Sequence, residues 1–395
     1  MAVSYADIIS KRKREWGSTI MDAAKRPKGK KIPFSSPLLN YSTYGGIPRN
    51  QITEFFGDPG GGKSSTSIDI CKNAYRIFQS EYQSSYDKLS EKAAGGDKQA
   101  KSELADLEEL GPKKILYFDL EHAFDGAWAT TLGINPEEID IIQPPDVVAE
   151  DILQTVLEIV ETGEVGLIVL DSIPSLITRA ELEKKLGERT VASLAGLLTV
   201  FFRKIVPLLT RYETTLLIIN QTRDNLDNPY VVQTPGGKAL KFYCSLRIQF
   251  KIGSPVDFLG NELPQSTENP AGYIVTAKIV KQKSAPWDRK NGSYYLMAHS
   301  GIRLDIDFAQ LAVKKYNIIS KAGAWLTCTD PYTGSVLEDE NGRPVKLNGM
   351  AKVLEYLQTN EEYFNQIKQY IIDDIEGNSH TLEDDVDGEV DEVLQ

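Results

Sequence analysis

Only three cysteines occur, Cys71, Cys244 and Cys328, far apart and with no CxxC or Cys/His spacing. A zinc site and a disulfide framework are therefore excluded, and buried, reduced thiols are expected. No run of about 18 uninterrupted apolar residues is present, and the first residues lack the apolar core of a secretion signal. No membrane partner and a cytoplasmic location follow as expectations. There is no internal repeat, and neither Gly, Pro nor aromatic content is extreme, so disorder is expected only locally.

Positive charge is also missing where it would matter for nucleic acid. The formal charge is -12, which by itself speaks against phosphate binding. Residues 373–395, however, hold ten Asp and Glu and no Lys or Arg, and without those ten acids the remainder carries only -2. The body of the chain is nearly neutral and the acidity belongs to a tail, expected to be disordered because large apolar residues are few there.

What is there is a 395-residue chain, 41% hydrophobic and 25% charged, long enough for one large α/β domain with smaller appendages. Residues 1–32 are rich in Lys and Arg, with a helical pattern around Ala6, Asp7, Ile8, Ile9 and Trp16 before a Pro/Lys/Gly stretch at Pro27 to Pro33. This reads as a basic helical arm with a linker; its charge suits a solvated surface better than a DNA contact.

Apolar, β-branched runs at Gln51–Phe56, Ile115–Leu120, Leu167–Leu170, Leu216–Asn220 and Leu246–Phe250 alternate with helical periodicity, with further strands at Tyr273–Val280 and Tyr294–Ala298. The alternation predicts an α/β fold with a mostly parallel central sheet and crossover helices, over 33–303. Charged, Ser-rich residues from about 80 to 112, broken at Gly95-Gly96, predict an inserted helical hairpin. Residues 304–372 change to short helices and a hairpin turning at Asp339-Glu340-Asn341-Gly342, a small α+β C-terminal domain, and 373–395 form the tail.

The strongest motif is Gly57-Asp58-Pro59-Gly60-Gly61-Gly62-Lys63-Ser64, which fits GxxxxGK[ST] and stands between the strand Ile52–Phe56 and a helical stretch Ser65–Phe78. Such a loop turns successive N–H groups toward phosphate oxygens at a helix N-terminus. ATP is thus the expected ligand, with Lys63 on the β and γ phosphates, Ser64 giving its hydroxyl to Mg2+, and Ser65 among the residues that bind the nucleotide. A second magnesium-directed acid is expected after a buried strand, and Asp171 closes Leu167–Leu170; an ordinary helix cap is the alternative. Glu121, after Ile115–Leu120, is the candidate base for the attacking water. Asp119, paired within the sheet edge, and Asp125, capping the next helix, are the alternatives.

Asp119-Leu120-Glu121-His122-Ala123-Phe124-Asp125 resembles the DxEHAxD segment of bacterial RecA recombinases, and Ile219-Asn220-Gln221-Thr222-Arg223 is similar to another segment of that family. Gly236-Gly237-Lys238-Ala239-Leu240-Lys241-Phe242-Tyr243-Cys244-Ser245, completed by Arg247, resembles its GGxALKFYxSxR stretch, and Lys321-Ala322-Gly323-Ala324-Trp325 its KAGAW. The similarity keeps one order from about Ser36 to Leu357, and Gly17-Ser18-Thr19-Ile20-Met21 echoes the N-terminal segment. The insertion, a shortened segment at Thr222–Lys238 and an altered one at and after Lys184–Ser193, the positions of the family's second and first DNA loops, suggest a divergent, phage-encoded member.

The resemblance implies a P-loop core and an ATP-dependent recombinase. Its protomers would form a homo-oligomeric helical filament on single-stranded DNA and pair it with homologous double-stranded DNA, helped by single-strand-binding and loader proteins. It implies Glu121 as base, Asp171 as second-shell magnesium ligand, Gln221 as γ-phosphate sensor and Asp125 beside the nucleotide. Lys281 and Lys283 would reach ATP in the neighbouring subunit, Trp128 would stack on adenine, and Lys241 and Phe242 would pack on the adjacent protomer. Read without the resemblance, Gln221 is a loop amide, the two lysines are exposed strand residues, and Trp128 and Phe242 are core.

A sequence-tolerant single-strand track needs cations with flexible or stacking groups. Lys184–Ser193 offers Lys184, Lys185 and Arg189, and Thr222–Lys238 offers Arg223, Tyr230, Gly236, Gly237 and Lys238. Tyr230, with Val231 and Val232, is the candidate wedge between bases, although it is displaced from the family's aromatic. The arginine typical of the helix after the first loop is replaced by Gly196 and Leu197, leaving Arg189 or Arg203 as substitutes. The acidic tail would compete with DNA for these cations, or serve solubility alone. The rivals from other classes are a RecA-fold hexameric helicase and an ATP-binding mediator with little hydrolysis.

Overall fold

The computed structural model describes residues 4–16, 29–185, 193–222, 234–283, 285–286 and 288–380. It forms two units, 1–30 and 31–395. In the first, helix α1 (Tyr5–Trp16) is started by Ser4, whose hydroxyl accepts from the Asp7 N–H at 3.1 Å while the Asp7 carboxylate accepts from the Ser4 N–H at 3.2 Å. This reciprocal pair satisfies two donors that a helix N-terminus otherwise leaves open.

The second unit begins with the short antiparallel pair β1 (Lys31–Ile32) and β2 (Ile47–Pro48), linked by α2 (Pro37–Thr43). Strand β3 (Ile52–Gly57) feeds α3 (Lys63–Ala94), and α4 (Lys98–Leu110) folds back on it. Then come β4 (Lys114–Asp119), α5 (Gly126–Thr131), β5 (Asp140–Ile142), α6 (Ala149–Thr162), β6 (Val165–Asp171), α7 (Arg179–Leu182), α8 (Ser193–Arg211), β7 (Thr215–Gln221) and α9 (Gly237–Tyr243). Strands β8 (Leu246–Val256), β9 (Gly272–Gln282), β10 (Asn291–Met297) and β11 (Gly301–Ile302) complete one nine-stranded sheet, ordered β11-β10-β9-β8-β3-β7-β6-β4-β5.

From β8 through β5 every pairing is parallel, and from β8 outward to β11 every pairing is antiparallel. The mostly parallel α/β sheet predicted from the alternation of apolar runs is therefore present. Its central strands are mostly apolar because helices cover both faces, with Glu54 of β3 and Asn220 of β7 among the buried polar exceptions. One face packs on α3 through Ile68, Ile70, Cys71, Ala74 and Phe78, the other on α6, α8 and α9 through Ile152, Val156, Phe202, Ile205 and Leu240. All three cysteines are buried and free. No helix among the described residues is long and apolar enough to cross a membrane.

The inserted hairpin has a different construction from the one expected. Its first arm is no separate helix: α3 runs unbroken from the P-loop for 32 residues, so the hairpin extends the nucleotide-binding helix itself. Asp97 starts the return arm by accepting from the N–H groups of Gln99 and Ala100, and Ala93 and Ala100 are the buried small residues between the arms. Gly96, at φ 94, takes the left-handed turn there.

Helix α10 (Leu304–Lys314), strands β12 (Ile319–Ala322), β13 (Trp325–Cys328) and β14 (Lys346–Asn348), and helices α11 (Gly349–Thr359) and α12 (Glu361–His380) close the fold. The turn at 339–342 is present, with the Gly342 N–H donating to the Asp339 carbonyl at 2.9 Å. These elements share an apolar cluster with Val256, Tyr295 and Met297 of the large sheet. The tail expected to be disordered from residue 373 is instead helical as far as His380. Tyr363, Phe364, Ile367, Ile371 and Ile375 recur at helical spacing and bury against that cluster. Burying Ile371 and Ile375 contributes about 1.5–3 kcal/mol each, which outweighs the surface acidity of Asp373 and Glu376. Asp374 itself accepts from the Tyr316 hydroxyl at 2.7 Å. Residues 381–395 lie outside the described part.

Asp307 of α10 is fully buried; Ser36, the N-cap of α2, donates to one of its carboxyl oxygens and the other has no partner. Burial pushes its pKa well above the ordinary carboxyl value despite that bond. The folded state then holds a proton that the unfolded chain releases, so this group's contribution to stability is most favourable below its unfolded value. It declines as pH rises from there to the raised native value. Asp307→Asn should be more stable than the parent at neutral pH and lose that advantage toward pH 4. Thermal unfolding across this range measures it, and parallel curves for the two proteins would refute the buried-acid account.

Candidate nucleotide and DNA site

The P-loop follows β3 because its glycines sit where side chains cannot. A Cβ on Gly57 would lie 2.0 Å from the Phe250 carbonyl oxygen of β8, and Gly62, the N-cap of α3, has φ 84. The Lys63 ammonium donates to the Asp58 carbonyl at 2.7 Å, bridging the loop's own concavity. Burial lowers its pKa, opposed by Asp171, Glu121 and Asp58. Asp58, Pro59 and Gly60 are exposed, Ser64 is exposed behind them, and Gly61 and Lys63 are buried beneath. A cradle of backbone donors with one cation in its floor suits a polyphosphate.

Beside it, Ser64 Oγ donates to Asp171 Oδ2 at 2.9 Å, and the buried Tyr117 hydroxyl donates to the same oxygen at 2.6 Å. Burial raises the Asp171 pKa; the bonds from Tyr117 and Ser64 pull it back, and Glu121 and Asp119 add to the rise. A divalent cation would relieve that accumulation of negative charge, and hydroxyl and carboxylate oxygens are the donors magnesium prefers. Among the described residues no group of three or more His, Cys, Asp or Glu could hold a metal. An ion here would therefore be held through Ser64, with Asp171 behind it, together with phosphate and water.

Glu121 stands exposed one residue beyond Leu120, after the end of β4, and His122 follows at φ 53. Its Oε1 accepts from Ser172 Oγ and, at 2.9 Å, from Gln221 Nε2. The strand order explains the meeting. β4, β6, β7 and β3 are parallel neighbours, so Glu121, Asp171, Gln221 and the P-loop all emerge at one edge of the sheet. Asp119 plays a different part, accepting from the N–H groups of Ala123 and Phe124 and from Gln143 Nε2 at 2.8–3.0 Å, and so shapes the turn that carries Glu121. Burial pushes its pKa up, but those three bonds prevail and hold it below the ordinary value. Asp125 caps α5, accepting from the N–H groups of Ala127 and Trp128. Trp128, half-buried, donates its indole N–H to Ser65 Oγ at 3.0 Å, which places its ring against the start of α3.

Lys281 and Lys283 are not at this edge. β9 runs antiparallel to β8, with Lys281 opposite Arg247, which is itself opposite Glu54, three residues before Gly57. Two strand spacings and three residues of rise separate Lys281 from Gly57, roughly 14 Å. Its ammonium donates to the Lys241 carbonyl at 2.6 Å and the Phe242 carbonyl at 2.9 Å, at the C-terminal end of α9. Burial lowers its pKa, and the adjacent Lys283 lowers it further. Phe242 is 72% exposed, not core.

Gly236 is the left-handed N-cap of α9, and Gly237 and Lys238 open that helix, both exposed. Arg189, Arg223 and Tyr230 lie outside the described residues. Tyr117 and Ser172 were not expected from the sequence although both touch the site. The only signal for Tyr117 was an aromatic hydroxyl two residues before Asp119, on the face toward α3.

A family model described as RecA N-terminal domain matches residues 92–303, starting inside the hairpin and downstream of the P-loop. Protein RecA of Thermus aquaticus is 30% identical over 348 residues, covering 87% of this chain and 84% of its own. Protein RecA of Thermus thermophilus is 29% identical over 369 residues, 91% of each chain. Protein RecA of Rhodopirellula baltica is 28% identical over 330 residues, 83% of this chain and 72% of its own.

Proposed function

This chain belongs to the RecA family, and on that premise we propose that it is a DNA-dependent ATPase that assembles on single-stranded DNA and pairs it with homologous duplex. The observation that carries the reading is the bond from Gln221 to Glu121. It joins the acid beside the P-loop to the residue at which the second DNA loop begins. A γ-phosphate that drew Gln221 to itself would release this contact and shift the adjoining segment, so DNA affinity would follow nucleotide state.

In this reading Glu121 takes the proton of the attacking water while Lys63 balances charge on the transferred phosphoryl group. Magnesium, held through Ser64 with Asp171 behind it, would neutralise phosphate charge. Trp128 offers a ring for the base. Lys281 and Lys283, too far from their own P-loop, serve the nucleotide of a neighbouring protomer, with Phe242 exposed at the same junction. Lys238 and the cations of the two loops follow the DNA backbone. Residues 1–32 stack protomers, and the acidic tail, beginning beyond the helical part, competes with DNA. The setting is cytoplasmic.

The test is joint-molecule formation between a circular single strand and a homologous linear duplex. Products should form with ATP and Mg2+, and be absent with ADP or with a heterologous duplex. If ATP and DNA both bind and no joint molecules form, the recombinase reading fails in favour of a mediator. Closed rings in place of helical filaments under the electron microscope would favour a helicase.

A further inference from the structure

We propose that the buried carboxylate of Glu54 is a positioning group that ties the far stem of the second DNA loop to the nucleotide-binding strand, making DNA affinity answer to nucleotide. This rests on the reading above that residues 222–238 hold DNA in a nucleotide-dependent way. The near stem touches the P-loop directly: the Thr222 N–H donates to the Gly57 carbonyl at 3.3 Å and its hydroxyl donates to Asp58. The far stem, at Pro235, needs an intermediary.

Asn220, fully buried at the end of β7, supplies it. Its amide nitrogen donates to Glu54 Oε1 at 2.9 Å and to the Pro235 carbonyl at 3.0 Å, while its Oδ1 accepts from the Gln221 N–H at 2.9 Å. One side chain thus holds the near stem by its oxygen and the far stem by its nitrogen. The Pro235 carbonyl and the Gln221 N–H favour that orientation, and a neighbour that is purely an acceptor locks it. A flipped amide would present oxygen to both Glu54 and Pro235, two acceptors that repel it.

Glu54 meets the requirement. It is fully buried on β3, and its second oxygen accepts from Arg247 Nε, whose guanidinium lies 4.7 Å above the ring of Phe56, next to Gly57. A carboxylate has acceptors enough for Arg247 and Asn220 together, whereas Gln at this position has one acceptor oxygen and a competing donor. The Glu54–Arg247 pair is placed where its charge keeps the Asn220 amide from turning, and the Glu54 carboxylate bonds Asn220 and Arg247. Glu54 therefore acts through Asn220 and is not a catalytic residue.

The experiment compares full-length wild type, Glu54→Gln, Asn220→Ala and the double variant. Affinity for a fluorescent oligothymidylate is measured with and without a slowly hydrolysed ATP analogue, alongside analogue affinity and thermal unfolding. Wild type should bind DNA at least about tenfold more tightly with the analogue. Both variants should lose most of that gain while binding the analogue as before, and the double variant should be no worse than either single one. Asn220→Ala leaves the Glu54–Arg247 pair intact, so it decides the matter if Glu54→Gln does not fold. If both folded variants, or Asn220→Ala alone in that case, keep the full nucleotide-dependent gain, the positioning role is overturned and the proposed function stands. A folded wild type whose DNA affinity ignores the analogue would sink the proposed function, and this inference with it.

Discussion

Glu121→Gln should lower DNA-stimulated ATP hydrolysis by about 10² to 10⁴-fold, the contribution of a positioned general base, while ATP and single-stranded DNA still bind. The amide oxygen of Gln can accept from Ser172 and Gln221 as the carboxylate does, so the site's geometry survives and only the proton acceptor is lost. Without turnover, nucleotide stays in place and the protein should remain on DNA after excess ATP is chased away, where wild type dissociates. Steady-state phosphate release and the lifetime of the DNA complex measure the two effects. Hydrolysis at the wild-type rate would remove Glu121 from the mechanism and leave Asp119 or Asp125 to be examined. The structure weakens both of these, since Asp119 holds its turn through three bonds and Asp125 caps a helix.

The second large effect concerns Lys281 and Lys283. Changing both to Ala should reduce hydrolysis by about 10³-fold, the scale on which cations delivered from a neighbour act in phosphoryl transfer. Nucleotide binding by the isolated protomer should be untouched, because neither lysine lies near its own P-loop. Loss of the Lys281 contacts to the carbonyls of Lys241 and Phe242 removes a helix C-terminal partner costing only about 0.3–1 kcal/mol. Folding should therefore survive.

Mixing supplies the decisive measurement. When equal amounts of the double-lysine variant and Glu121→Gln co-assemble head to tail at random, about one interface in four joins an intact Glu121 to intact lysines. Activity should recover to about a quarter of wild type from two nearly inactive proteins. No recovery in demonstrably mixed assemblies would mean that the lysines act within their own protomer or not at all.

Much of this was legible in the residues because it is local. Strand Ile52–Gly57, its glycine loop and the following helix adjoin in the chain, and the motif states its own ligand. Apolar runs marked the central strands because burial on both faces leaves little room for polar residues. What failed to show was equally physical. Charge hid the amphipathic repeat that carries α12 past residue 373, and the change to charged, Ser-rich residues near 80 concealed that the arm ending at the Gly95-Gly96 break is a continuation of the P-loop helix. Phe242, which composition would assign to the core, is exposed, because side-chain period tells which residues share a face and not whether anything covers it.

By itself the sequence determined the nucleotide cradle and the character of each strand, since both depend on neighbours a few residues apart. Only the tertiary structure decided that Glu121 and Gln221, a hundred positions apart, share a hydrogen bond, that Asn220 joins both stems of a loop to Glu54, and that Lys281 faces away from its own P-loop. Those relations follow from strand order and direction. Several orders are compatible with the same apolar runs, and burial and backbone pairing summed over the whole sheet select one of them.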